Sequence, residues 1–179
     1  MPVDTRLIGD RGTYLVAAEL ARHEWPAALT TTGTARTDLL AQVGDAKLPA
    51  AIQVKAKSGG SRDFQLQGVR DPAEKGANEW VVLVALAADH DHSFYVVPRD
   101  VVVAVILAFR DVYPRSSRVT LGEPEFEGYG RDDRWELLHH PSWEASWRVK
   151  RWVAERRDTL PWPDGRNRMS RKDVEILDA

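Results

Sequence analysis

"AAIQVKAKSGG", residues 50–60, decides the fold. Ala50, Ala51, Ile52 and Val54 give it the apolar character of a core strand, while Gln53, Lys55 and Lys57 alternate along it. Side chains at i and i+2 share a strand face. One face therefore carries a polar, cationic row, and Ile52 and Val54 face the other way. A core strand gains nothing in stability from such a row, so the neighbouring segments must explain it.

Upstream, "GDAKLP" (44–49) reads as a turn. Before it, "LTTTGTARTDLLAQV" (29–43) is rich in threonine and then apolar, which predicts one or two strands, the last antiparallel to 50–57. "GDRGTYLVAAELARHEW" (9–25) predicts an amphipathic helix: Tyr14, Ala18, Ala21 and Trp25 recur at helical spacing, as do Val16 and Leu20. Asp10 stands where a cap or first-turn acid belongs, and Pro26 ends the pattern.

Downstream, "FQLQ" (64–67) alternates like a third strand. "EWVVLVALA" (79–87) predicts a buried strand, "ADHDHS" a hairpin turn and "FYVV" (94–97) its partner. Pro98 suits the start of a helix running to about Phe109, with a valine-rich strand as the rival. A short strand is expected at Trp135 to Leu138, and Pro141 opens a last helix over 142–157. The order predicts an α/β protein, a mixed β-sheet flanked by helices, with a core at 1–113 and a C-terminal helical and arm extension at 114–179 packed on it.

The chain has 179 residues, enough for one domain with a substantial core. Its net charge is −2, so any nucleic-acid surface must be local. Having no cysteine, it has no disulfides, thiolate zinc sites or cysteine nucleophile. The apolar run "VVVAVILAF" (101–109) is too short to span a bilayer, and "MPVDTRLIGDR" has no signal-peptide pattern, so no membrane association and a cytoplasmic location are expected.

Asp38, on the strand before the turn, can be brought by antiparallel pairing beside Gln53 and Lys55. An acid, an amide and an amine then meet at one sheet edge. Phosphodiester hydrolysis uses those parts. A hard divalent cation takes oxygen ligands, and a lysine can orient or deprotonate a water or neutralise a phosphate.

"Asp38 … Gln53-Val54-Lys55" resembles the PD-(D/E)XK nuclease superfamily, in its variant with glutamine at the middle acidic position. "GDRGTYLVAAELARHEW" is similar to the first helix of prokaryotic members, "TDLLA" to their metal-aspartate strand and "IQVKAKS" to their glutamine-lysine strand. "FYVVPRDVV" is similar to a strand and helix start in related uncharacterised bacterial proteins. The likeness spans roughly residues 7–104. It implies a restriction-endonuclease-like core, Mg²⁺ with Mn²⁺ as a substitute, and DNA as substrate. It also implies that Asp38 and Gln53 hold the metal and that Lys55 assists the water. Two departures stand out. The family's helix glutamate falls on Asp10, a further candidate ligand, or on Thr13 in a second alignment, with Glu19 a weaker candidate. Gln53 itself removes one negative charge from the site. Cutting both strands usually takes two sites, so a homodimer is expected. The rival readings keep the fold without turnover, as a nucleic-acid-binding module or as a structural subunit of a larger assembly.

Other residues carry less. Lys57 and Arg62 follow the strand and can meet phosphates, or are ordinary surface charge. Gln65 and Gln67 read as a solvated strand face, and "HDH" (90–92) as a solvated hairpin tip despite its metal-ligand residue types. Trp25, Trp80 and Trp135 are expected in the core, and Trp143 and Trp147, one turn apart, are expected to pack. Residues 145–172 hold nine cations against three acids, a net +6 that includes Arg148, Lys150 and Arg151. Non-specific DNA affinity comes largely from phosphate contacts, so this segment is a candidate clamp, or else a solvated helix and tail.

Overall fold

The computed structural model describes residues 4–31, 36–58, 61, 63–66, 68–69, 71, 73–89, 91–112, 120–122 and 134–144. Arg62, Gln67, His90, Trp147, Arg148, Lys150, Arg151 and most of the expected 142–157 helix lie outside them.

The first helix, α1 (Thr5–Arg22), starts more than a turn earlier than its apolar spacing suggests. Asp4 is the cap, its carboxylate accepting from the Arg6 N–H at 2.9 Å, so Asp10 is neither cap nor first-turn acid. The helix also ends before Pro26 acts. Glu24 takes φ +61°, the Glu24 N–H donates to the Ala21 carbonyl at 2.9 Å, and the Trp25 N–H donates to the Leu20 carbonyl at 2.9 Å. This is a Schellman closure with a glutamate at the left-handed position usually held by glycine, and Trp25 and Leu20 supply its apolar contact.

Five strands form one mixed sheet in the order β1-β2-β3-β5-β6. They are β1 (Ala27–Leu29), β2 (Leu39–Ala41), β3 (Ala50–Lys57), β5 (Glu79–Ala85) and β6 (Ser93–Pro98). The pairs β1–β2, β2–β3 and β5–β6 are antiparallel, and β3–β5 is parallel with Gln53 opposite Val81 and Lys55 opposite Leu83. Helix α2 (Arg99–Val112) follows β6 directly, so the valine-rich run is helical. The α/β architecture, a mixed sheet with flanking helices, is the one expected.

The two sheet faces bury different partners. Ile52, Val54, Trp80, Val82 and Val84 point to α1, whose Val16 and Leu20 pack among them with Trp25 and Trp135. Gly12 permits this approach: a Cβ there would lie 2.5 Å from the Ala56 Cβ and 3.5 Å from Val54 Cγ1. On the other face Val81, Leu83, Tyr95 and Val97 pack with Val102 and Ile106 of α2 and with Phe64, Leu66 and Val69.

Two expectations change. Strand β4 (Asp63–Gln65) does not join the main sheet but pairs with β7 (Thr120–Gly122) in a separate antiparallel ladder, with Phe64 turned into the second core. Residues Arg134–His139 form a 3₁₀ turn rather than a strand, because Trp135 and Leu138, three residues apart, both enter the first core. β7 and that turn tie the described part of 114–179 into the core. Trp143 is 40% exposed, and Trp147, one turn on from it, lies outside the described residues. Residues 142–144 are helical and lie against β5, where the Ser142 hydroxyl accepts from the Glu79 N–H at 3.1 Å and the Ser142 N–H donates to Asn78 Oδ1 at 2.9 Å. No helix among the described residues is long and apolar enough to cross a membrane.

Candidate active site

Asp38 sits one residue before β2, whose Leu39 pairs with Ile52 of β3. Its N–H donates to the Ile52 carbonyl at 2.8 Å, so Asp38 as well as Leu39 lies opposite Ile52 and the regular pairing ends there in a bulge-like step. Its Oδ2 then accepts from the Val54 N–H at 2.7 Å. The carboxylate thus replaces the next backbone acceptor where β2 has not yet begun and β3 continues. Leu39 and Ile52 are paired in the first core.

Along the face opposite Ile52, Gln53, Lys55 and Lys57 meet different surroundings. Gln53 is 7% exposed, and its Oε1 accepts from Arg99 Nη1 at 3.1 Å. Lys57, also 7% exposed, carries its ammonium 5.0 Å from the centroid of the Phe64 ring. It is therefore built into the β3–β4 junction rather than presented to phosphates, because β4 folds its phenyl ring over the end of β3.

Lys55 lies between them. Burial pushes its pKa below the ordinary 10.5; the Asp38 carboxylate opposes that shift and the Arg99 charge adds to it. Its ammonium lies over the backbone of Gly68, where an added Cβ would stand 3.4 Å from Nζ. Lys55 is thus near enough to Asp38, and to the Arg99 that bonds Gln53, for both charges to act on it.

Asp10 is not brought to them. It lies two residues before the buried Gly12, about 200° around α1 at helical pitch, exposed, on a helix packed against the opposite face of β3. The Thr13 hydroxyl donates to the Gly9 carbonyl at 3.1 Å, and Glu19 pairs with Arg22 at 2.8 Å. His92 Nδ1 accepts from the Ala87 N–H at 3.0 Å and so closes the β5–β6 turn.

Sequence reading missed Arg99 and Glu79. Arg99, at the start of α2, is 1% exposed. Its Nε donates to the Asp71 carbonyl at 2.8 Å and stands 3.3 Å from Glu79 Oε2. Glu79 also accepts from Arg36 at 2.9 Å and from the Glu74 N–H at 3.2 Å. Burial and the nearby Arg36 lower the Arg99 pKa, while Glu79 opposes them; a guanidinium remains a cation throughout. The signal was an acid opening an apolar strand and an arginine opening an apolar helix.

The donor set suits a hard cation thinly. Among the described residues no group of three or more His, Cys, Asp or Glu side chains is placed to hold a metal. Asp38 offers one carboxylate, and the Gln53 oxygen already receives a guanidinium hydrogen bond. Mg²⁺ tolerates such a set, since it keeps several waters and takes further oxygens from a substrate phosphate.

No protein-family model matches the chain, and no curated protein matches it. Among solved structures it is similar to a bacterial homing endonuclease, I-Ssp6803I, at 20% identity and a TM-score of 0.45. The match covers 83% of this chain and 98% of that one.

Proposed function

We propose that the chain is a divalent-metal-dependent endonuclease that hydrolyses DNA phosphodiester bonds. The supporting observation is that the Asp38 carboxylate, held on the Val54 N–H at the end of the β2–β3 pair, lies close enough to the half-buried Lys55 amine for its charge to act on it. In this reading Asp38 anchors Mg²⁺ through the lone pairs that the Val54 N–H leaves open, and Gln53 contributes at most its remaining lone pair. The bound cation supplies Lewis acidity to the scissile phosphate. Lys55 takes the proton of the attacking water: its lowered pKa enlarges the neutral fraction that can accept it. In its charged fraction Lys55 pairs with the phosphate. Arg62, Arg148, Lys150 and Arg151 extend the contact to the DNA backbone, and a homodimer would cut both strands.

A second reading, a nuclease-fold DNA-binding module without turnover, is favoured by the Arg99 hydrogen bond on Gln53 Oε1, which competes with a cation for that oxygen. Plasmid and branched DNA incubated with wild type and Lys55→Ala across Mg²⁺ and Mn²⁺ titrations separates the two. The nuclease reading expects metal-dependent cutting by wild type, loss of cutting in Lys55→Ala, and DNA binding in chelator that is nearly intact in the variant, which lacks one of many cations. DNA that binds in chelator but stays intact at every metal concentration leaves the binding module.

A further inference from the structure

Arg99 makes three contacts that no surface arginine at a helix start requires. Its guanidinium reaches the Asp71 carbonyl, the Glu79 carboxylate and, through Nη1, the Gln53 amide oxygen. Glu79 is itself held by Arg36 and by the Glu74 N–H. A guanidinium has donors and no acceptor. The carboxamide beside it must therefore turn its oxygen to Arg99 and its NH₂ away, because an amide carries the two on opposite sides of one carbon. A chain with a structural need alone could close the Arg99–Glu79 pair without Gln53. Here the pair extends to the residue next but one to Lys55.

We propose that Arg99 is the positioning residue of this site: it fixes the Gln53 carboxamide with the oxygen committed to α2, so that Gln53 serves as an amide N–H donor rather than as a metal ligand. This rests on the nuclease reading for the site's use. It has a consequence for the charge at position 53. In Gln53→Glu the new carboxylate falls within reach of the Arg99 fork and pairs with it, so the added charge is spent inside the protein. Without Arg99 the same carboxylate is available to a cation.

The test is Mn²⁺ binding to the full chain without DNA, followed by the electron paramagnetic resonance of free Mn²⁺, with cleavage measured in parallel. Wild type, Gln53→Glu, Arg99→Met and the double variant form a cycle. The expected result is that Gln53→Glu tightens Mn²⁺ at least about threefold more in the Arg99→Met background than in the wild-type background, an interaction of the size contacting residues show. Equal effects in the two backgrounds overturn the assignment. Arg36 still faces Glu79 in Arg99→Met, and thermal unfolding reports whether the variant is folded. If it is not, the same comparison in Arg99→Gln decides the matter. A neutral amide cannot neutralise the carboxylate that Gln53→Glu introduces, so the threefold criterion applies unchanged. Metal binding and cleavage without coupling between positions 53 and 99 would sink the positioning role and leave the nuclease standing. Absence of both metal binding and cleavage in wild type and in every Gln53→Glu variant would sink both.

Discussion

Asp38 does two separable things, and a pair of substitutions divides them. Its Oδ2 accepts the Val54 N–H at 2.7 Å and so carries the β2–β3 ladder one step past the end of β2. Its charge faces Lys55 and is the anchor proposed for the metal. Asp38→Asn keeps an oxygen for the Val54 N–H and removes the charge. The bond falls from charge-assisted to neutral, a loss of about 1 kcal/mol. At this chain length that lowers Tm by roughly 2–4 °C. Asp38→Ala leaves the Val54 N–H without that acceptor and should cost about 1–3 kcal/mol. Metal affinity should follow the charge instead. Both variants lose it, with Mn²⁺ binding at least about tenfold weaker, equivalent to about 1.4 kcal/mol, and cleavage abolished. The assays are thermal unfolding, Mn²⁺ titration and plasmid cutting on the same preparations. Asp38→Asn with wild-type Mn²⁺ affinity and activity would reduce Asp38 to a strand clasp and remove the anchor from the mechanism. Equal stability of the two variants would contradict the Val54 hydrogen bond.

Lys55→Met should raise stability at neutral pH while abolishing cleavage, because burial makes the Lys55 charge costlier in the fold than in water. The gain is constant below the lowered folded pKa. It shrinks as pH rises from there toward 10.5, where the folded wild type sheds a proton that the unfolded chain still holds, and denaturant unfolding at a series of pH values reads the difference. Gly12→Ala gains up to about 1 kcal/mol of helix propensity, but its Cβ would stand 2.5 Å from the Ala56 Cβ. We expect a net loss of about 1–2 kcal/mol, relieved by Ala56→Gly in the double variant; a stabilised single variant would mean that α1 sits farther from β3. Glu24→Gly should stabilise by up to about 1 kcal/mol, since Glu24 occupies φ +61° at the Schellman position, and an unchanged Tm would argue against that closure.

Much of this was legible in the sequence because it depends on local periodicity. The alternation of 50–57 sorted Gln53 and Lys55 from Ile52 and Val54, and the turn at 44–49 placed the antiparallel neighbour, although Asp38 falls one residue before that strand rather than on it. What was not legible depends on distant partners. The start of α1 hinged on Asp4 outside the apolar stripe, a cap that competes with Asp10 on equal terms until the geometry is known. Lys57 reads as a surface cation until Phe64 folds over it. Arg99 reads as an exposed first-turn residue until Glu79, twenty residues earlier, and Gln53, on another strand, close around it. Burial of a charge is a tertiary fact, and no spacing rule announces it.

The polar row on β3 is now accounted for position by position. Each end has a structural partner. Gln53 meets the Arg99–Glu79 pair where α2 begins, and Lys57 lies over the ring of Phe64, so both are answered by elements that cover this face. Lys55, between them, is half-buried. It stands over Gly68, where even a methyl group would touch its amine, and beside a carboxylate whose Oδ2 already holds the Val54 N–H. A leucine or methionine at 55 would extend the apolar neighbourhood of Leu83 and avoid the cost of burying a charge. Packing thus explains the two flanking residues and argues against the middle one. An amine kept where stability disfavours it, with its pKa lowered by burial and a carboxylate's charge acting on it, suits the proton-accepting role proposed for Lys55. That mismatch is the physical reason to look for phosphodiester chemistry at Lys55 rather than anywhere else on the sheet.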